Sequence, residues 1–203
     1  MTTGHYVCNV KRKIYKEDIK QAGLDLMFLN GYNATAIKDI TQKVNIPKGS
    51  FYNHFGSKEE FALEVVQDYC DNGVEMYRRS FVSAPGTPAE RISNFVDKLV
   101  LNYSQRTEFK LGCIMSNFSA EMSDVNENFR SLLDEQFNAC QAVMRQCIEE
   151  GMESGEFRAD LDADHAAGFM LNSLHGAFVR MKTTGNETPL LDFKSFILTL
   201  LNA

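Results

Sequence analysis

A short run of polar and small side chains about a quarter of the way along the chain has the composition of a surface that contacts nucleic acid. Residues 48–54 read Lys-Gly-Ser-Phe-Tyr-Asn-His, and none of these side chains is acidic. Lysine, serine, tyrosine and histidine can donate hydrogen bonds to phosphate oxygens, and Asn53 can pair with the edge of a base. Gly49 and Ser50 are small enough to let the backbone approach a DNA strand closely. We therefore predict that this segment contacts DNA.

The residues around this run predict the helices that position it. A first helix spans Lys16 to Leu29 and ends at Asn30-Gly31, because glycine commonly terminates helices. Thr35 then caps a short helix over residues 36–44, and Pro47 opens another short helix that ends near Asn53. Two short helices joined by a tight turn, with a third packed in front, form a helix-turn-helix unit whose second short helix contacts the bases.

Residues 31–61, GYNATAIKDITQKVNIPKGSFYNHFGSKEEF, resemble the signature of the TetR family of bacterial repressors. The shared features are a Gly-Tyr turn, a capping Thr, the run Lys-Gly-Ser-aromatic-Tyr-x-His-Phe and a Ser-Lys-Glu box. This stretch carries the resemblance, and the remainder of the chain matches only in its helical layout. The resemblance implies that the residues contacting operator DNA are Thr35, Lys48, Gly49, Ser50, Tyr52, Asn53, His54 and Lys58.

The rest of the chain predicts an all-α fold of about nine helices. Strand-like alternation is scarce, whereas helix starts are frequent, including the capping boxes Ser57–Glu60 and Thr87–Glu90. We expect a DNA-binding domain over residues 1–56 and a helical ligand-binding and dimerisation domain over residues 57–203. Residues 57–80 form the connecting helix, and 83–87 is the clearest linker.

The charge distribution favours a polyanionic partner for the N-terminal segment. The 203-residue chain carries a net charge of −6. Residues 1–60 nevertheless hold nine Lys or Arg against six Asp or Glu, so this segment is positive on an otherwise acidic protein. The basic run Lys11-Arg12-Lys13 fits either an arm that enters a minor groove or a disordered tail.

The sequence holds none of the motifs that would indicate an enzyme or a metal site. The four histidines lack metal-binding spacing such as HExxH, and no GxSxG, P-loop or dinucleotide-binding fingerprint occurs. The five cysteines are odd in number and form no CxxC pair. We therefore expect no catalytic site, cofactor, metal or disulfide framework. A secretory leader and long apolar runs are also absent, which predicts a cytoplasmic protein without membrane contact.

The C-terminal region carries small and apolar residues that suit a twofold interface between two copies of the chain. The alternative is that the same residues form ordinary internal core. The predicted dimer residues are Phe169, Ser173, Gly176, Ala177, Phe193, Phe196, Ile197 and Leu200.

The middle helices are rich in aromatic residues and methionine, which fits either an apolar ligand cavity or plain core. Cys113 stands at the start of a short helix, where the helix dipole is expected to lower the pKa of its thiol. Its surroundings, Gly-Cys followed by Ser-Ala-Glu, resemble one TetR subgroup in which a cysteine here senses electrophiles or oxidants. Sensing and packing both remain open for Cys113. The candidate ligand or redox residues are Cys113, Tyr103, Phe118 and Phe169.

These patterns together predict a TetR-type regulator, a repressor that binds a palindromic operator as a dimer. A small molecule, such as an electrophile, or a thiol modification would release it from DNA. The alternative is an architectural DNA-binding protein without a ligand, whose affinity would not depend on the DNA sequence.

Overall fold

The computed structural model describes residues 16–202, and these residues form nine α-helices, as the sequence predicts. The predicted basic run Lys11-Arg12-Lys13 lies outside the described residues. Within them, the only β-type pairing is an isolated bridge between Phe157 and Asn202. The helices are α1 (Lys16–Ala34), α2 (Ile37–Lys43), α3 (Lys48–Tyr52), α4 (Lys58–Phe81), α5 (Pro88–Thr107), α6 (Ile114–Met122), α7 (Glu127–Glu153), α8 (Ala163–Thr184) and α9 (Thr188–Leu201).

The first three helices form the predicted helix-turn-helix unit. Helix α1 is interrupted at Gly31, whose φ of 79° and ψ of 176° lie outside the helical region. Glycine adopts a positive φ without a steric penalty, so the predicted stop becomes a break after which one more short turn follows. The turn between α2 and α3 is made by Asn45, which has a φ of 55°, a conformation that asparagine tolerates better than most residues.

Two predicted helix starts in this unit are wrong by one residue. Ala36, not Thr35, is the N-cap of α2, and its backbone N–H donates to Oδ2 of Asp39 at 3.2 Å. Thr35 instead donates its hydroxyl to the Gly31 carbonyl at 2.7 Å and is fully buried. Pro47 is the N-cap of α3 rather than its first residue.

Helices α4, α5, α7 and α8 begin at side-chain caps. Thr87 and Glu90 form the predicted reciprocal capping box, with Pro88 in the first turn of α5. Asn126 and Asp162 cap α7 and α8 through their side-chain oxygens. Ser57 accepts from the Glu60 N–H, but the Glu60 carboxylate accepts from Gly56, so the predicted box there is incomplete.

Helices α4, α7, α8 and α9 pack successively against one another, and α6 lies against both α1 and α4. The buried apolar side chains form one cluster that extends from Ile19 in α1 to Leu201 in α9. Within residues 16–202, no helix combines the length and apolar character needed to cross a membrane.

Candidate DNA-binding surface and sensing site

Helix α3 presents polar side chains to solvent along one face. Lys48, Gly49, Tyr52, Asn53 and His54 are exposed, and Ser50, the remaining predicted contact in this run, is half-buried. Tyr52 is 47% exposed, and the Lys48 ammonium lies 5.9 Å from the centre of its ring. A Cβ built on Gly49 would meet no atom within 4 Å, so no packing inside the protein requires glycine there. Seven of the eight predicted DNA contacts therefore keep some exposure.

An aromatic cluster holds this five-residue helix in place. Phe51 of α3 and Phe55, three residues beyond its end, are buried with their rings 5.2 Å apart, and each packs on Phe61 of α4. Phe61 in turn lies where a side chain on Gly23 would be, because a Cβ there would come within 2.2 Å of the ring. A helix this short is not stable by itself, so the cluster fixes the orientation of its polar face.

The basic residues of this unit differ in whether they already have acidic partners. Lys16 and Lys20 form ion pairs with α4, and Lys43 pairs with Asp25. Among the residues that the structure describes, neither Lys38 nor Lys48 has a carboxylate partner, and both are exposed. These two ammonium groups leave the unit with unneutralised positive charge beside the α3 face.

Two of the predicted DNA contacts have partners inside the protein. The buried Thr35 hydroxyl donates to the Gly31 carbonyl and is not accessible to a phosphate. The predicted phosphate contact of this residue is therefore wrong for this conformation. Lys58 is half-buried, donates to the Tyr32 carbonyl at 2.6 Å and lies 4.2 Å from the Tyr32 ring centre. Burial lowers the pKa of Lys58.

Helix α6 contacts the DNA-binding unit through a residue to which sequence reasoning assigned no role. The Glu121 carboxylate accepts hydrogen bonds from the backbone N–H groups of Tyr32 at 2.8 Å and Asn33 at 2.7 Å. Glu121 stands in the Ser-Ala-Glu run that follows Cys113, but its partners lie 88 and 89 positions away in the chain. No local pattern could have revealed this contact.

Cys113 is the N-cap of α6 and is only 6% exposed. The hydroxyl of Tyr69 donates to its sulfur at 3.8 Å. Burial raises the pKa of the Cys113 thiol, and it outweighs the backbone N–H groups of Ser116 and Met115, which favour the thiolate. The helix start therefore lowers this pKa as predicted, but the net shift is upward because burial has the larger effect.

A polar pair, half-buried Ser116 and buried His175, lies one helical turn further along α6. Ser116 Oγ and His175 Nδ1 are 2.7 Å apart, and the imidazole packs edge-on against Phe137 and Phe178. Burial lowers the pKa of His175 to about 4, so the ring is neutral near pH 7. The other ring nitrogen, Nε2, is buried and has no hydrogen-bond partner. Buried polar atoms are rarely left in this state, so His175 is a candidate contact for a ligand.

The four predicted sensing residues do not form one site. Tyr103 lies close to Cys113, since its hydroxyl donates to the Gly112 carbonyl at 3.3 Å and its ring packs on Phe178. Phe118 is fully buried against Tyr32 and Phe129, at the DNA-binding side of α6. Phe169 is 57% exposed, so its predicted place in an internal cavity is wrong.

The predicted dimer residues divide into an exposed set and a buried set. Phe169 and Phe196 are 57% and 74% exposed, and Gly176 and Leu200 also lie on the surface, with Ser173 half-buried. Val179 and Leu191 add exposed apolar area to the same two helices, although they were not predicted. Three predicted residues belong to the protomer core instead, because they face the packing between α8 and α9: Ala177, Phe193 and Ile197.

An exposed polar helix anchored in a three-helix unit, joined to a larger helical bundle, is the architecture of a helix-turn-helix transcriptional regulator. Residues 19–65 match the family model described as bacterial regulatory proteins of the TetR family. Residues 88–197 match the tetracycline repressor-like C-terminal domain. The chain therefore belongs to the TetR family and is a DNA-binding transcriptional regulator.

Individual relatives agree with this assignment. The transcriptional repressor DhaR of Mycobacterium sp. strain GP1 is 32% identical over 186 residues, which cover 92% of this chain and 91% of DhaR. The repressor NemR of Escherichia coli K12 is 25% identical over 68% of this chain and 69% of its own. The crystal structure of a regulatory protein TetR from Rhodobacter sphaeroides superposes with a TM-score of 0.85 at 26% identity, covering 91% of this chain and 97% of that one.

Proposed function

We propose that this regulator is a repressor that binds a palindromic operator as a homodimer and reads the bases with α3. The observation that carries the proposal is the exposed face of α3, where Lys48, Tyr52, Asn53 and His54 form no side-chain hydrogen bond or ion pair with any other residue of the described range 16–202. Lys48 and Tyr52 suit phosphate oxygens, and Asn53 suits a base edge. The division into a DNA-binding domain, 1–56, and a regulatory domain, 57–203, belongs to this proposal, as does a place in the cytoplasm.

The exposed part of the α8 and α9 surface supports the homodimer. Phe169, Phe196 and Leu200 are apolar side chains that a monomer leaves in water, and Gly176 permits close approach of two helices. A twofold axis here presents two α3 helices to one face of the duplex. Helix-turn-helix dimers bind successive major grooves about 34–36 Å apart, which requires an operator with twofold symmetry.

The region around Cys113 and His175 supports release by an effector. The Cys113 thiol offers a nucleophile to a small electrophile, and His175 Nε2 offers an unpartnered polar atom to a neutral ligand. Because both groups are buried, an occupant must alter the packing of α6 against its neighbours. A change of about 1–3 kcal/mol in DNA affinity is typical of such coupling.

The test is a fluorescence anisotropy titration with duplex DNA from immediately upstream of the chain's own gene, against a scrambled duplex of equal length and composition. We expect tighter binding to the genuine duplex, and weaker binding to it after alkylation with iodoacetamide. If specific DNA binding is unchanged by iodoacetamide, the effector is a noncovalent ligand rather than a thiol modification. Equal affinity for both duplexes would contradict the repressor and favour the architectural alternative.

A further inference from the structure

The break in α1 at Gly31 is followed by two successive backbone N–H groups that bond to another helix. After Gly31, the N–H groups of Tyr32 and Asn33 point to one place, and the two carboxylate oxygens of Glu121 each accept one of them, at 2.8 and 2.7 Å. Successive N–H groups that converge in this way form a site for an anion. Hydrogen bonds to an ionised acceptor are stronger than neutral ones.

Glu121 connects this site to the buried thiol. It lies in the last turn of α6, and Cys113 is the N-cap of the same nine-residue helix. The rise of an α-helix places the two ends about 12 Å apart. Between them, Phe118 is fully buried and packs on the Tyr32 ring. The C-terminal half of α6 therefore contacts the DNA-binding unit through both Phe118 and Glu121.

Tyr32 is also held from the opposite side. Lys58, the first residue of α4, donates to the Tyr32 carbonyl at 2.6 Å and stacks on its ring. The backbone at residues 31–33 is therefore fixed between α6 and α4, directly before it enters α2 and α3. This segment is thus one of the places at which the DNA-binding unit is attached to the regulatory helices.

We infer that Glu121 is a positioning residue for DNA binding, whose carboxylate holds the Tyr32 and Asn33 backbone and transmits shifts of α6 to the reading helix. This inference rests on the proposed function and adds the contact through which a buried effector would act. Without this carboxylate, the backbone at residues 31–33 is no longer held by α6. Each protomer must then order its DNA-binding unit when it binds DNA, and this cost weakens the affinity for DNA.

The experiment compares full-length wild type with Glu121→Ala, Glu121→Gln and Glu121→Asp. Asp124→Asn is the matched control, because Asp124 is an exposed carboxylate three residues away. Amide hydrogen exchange of residues 31–35 is measured without DNA. The dissociation constant for the operator is measured before and after alkylation with iodoacetamide.

We expect the Tyr32 and Asn33 amides of Glu121→Ala to exchange at least about tenfold faster. The operator affinity of this variant should fall at least about fivefold, and the effect of alkylation on it should shrink toward none. The exchange rates and operator affinity of Glu121→Gln should lie between those of Glu121→Ala and wild type, since a glutamine oxygen can replace only one of the two acceptors. Asp124→Asn should match wild type.

Unchanged exchange in Glu121→Ala would overturn the inference, as would faster exchange with unchanged affinity, which would leave Glu121 a purely structural contact. If Asp124→Asn lost as much operator affinity as the Glu121 variants, the inference would also be overturned, because the change in net charge alone would then explain the result. If Glu121→Ala fails to fold, Glu121→Gln and Glu121→Asp carry the same comparison. The exchange measurement needs no DNA, so it decides the contact separately from the proposed function.

Discussion

The face of α3 and the interior around Cys113 both contain polar side chains, but they differ in the partners that those side chains already have. Tyr52, Asn53 and Lys48 are exposed and available to an outside ligand. Cys113 is covered and receives a hydrogen bond from Tyr69, while His175 keeps one buried nitrogen unpaired. An exposed polar surface can bind without rearrangement of the protein. A buried polar site can act only by changing the packing around it, and this makes it suited to regulation.

The largest expected effect is on the free energy of unfolding, and it comes from the aromatic cluster that holds α3 in place. Phe51→Ala removes a fully buried ring from contact with Phe55 and Phe61. We expect it to lower the free energy of unfolding by about 3–5 kcal/mol, as measured by urea denaturation. Tyr52→Ala, on the exposed side of the same helix, should change stability far less. Equal losses would show that the two faces of α3 are not energetically distinct.

His175 provides the next largest effect, through pH. Its pKa in the folded protein is about 4, whereas an unfolded histidine titrates near about 6.5. The unfolded chain therefore takes up a proton first as the pH falls, and stability is lost between about pH 6.5 and 4, by about 3 kcal/mol in total. Urea denaturation of wild type and His175→Asn across this range should show a steeper loss in wild type, because the other titrating groups are common to both proteins. A parallel decline in both proteins would refute the buried neutral histidine.

We expect alkylation of one buried thiol, that of Cys113, to weaken the binding of DNA by the exposed face of α3. Iodoacetamide is expected to weaken operator binding by about 1–3 kcal/mol in wild type, because the added group cannot fit beside Tyr69 without shifting α6. Cys113→Ser should remove this response, while Cys147→Ser, which changes another buried cysteine, should keep it. Anisotropy titrations with mass-spectrometric confirmation of the modified residue make the measurement. A response retained in Cys113→Ser would place sensing elsewhere.

The smallest effect concerns salt dependence at the exposed face. Lys48→Ala should reduce the slope of log affinity against log salt by about one per protomer, as expected for one lost phosphate contact. Lys58→Ala tests the other predicted lysine, whose ammonium must first leave the Tyr32 carbonyl. Titrations from low to moderate salt compare the two. An unchanged slope in either variant removes that residue from the phosphate contacts.

Local chemistry made much of this fold predictable. The capping box at Thr87 and Glu90 acts within three residues of itself, so sequence alone identifies it. Thr35 was misplaced because its hydroxyl can serve either as a cap or, as observed, as a donor to the preceding turn. Both uses produce the same local sequence pattern.

Contacts distant in sequence were not predictable. Periodicity identified the apolar residues of α9, but it could not tell that Ile197 packs inward and Phe196 outward, since α9 is apolar around most of its surface. Glu121 and His175 gain their partners only when α6 meets α1 and α8, and those partners lie 89 and 59 positions away. The exposed DNA-binding face follows from local chemistry, whereas the buried regulatory contacts require the tertiary structure.

The central claim is that the exposed face of α3 reads the operator, and Tyr52→Ala tests it most directly. Anisotropy titrations should measure wild type and this variant on the operator and on the scrambled duplex, with the oligomeric state checked by sedimentation. We predict a loss of about 1–3 kcal/mol on the operator, a loss on the scrambled duplex as well because a phosphate contact carries no sequence information, and an unaltered dimer. Unchanged operator affinity in a folded, dimeric Tyr52→Ala protein would contradict the account.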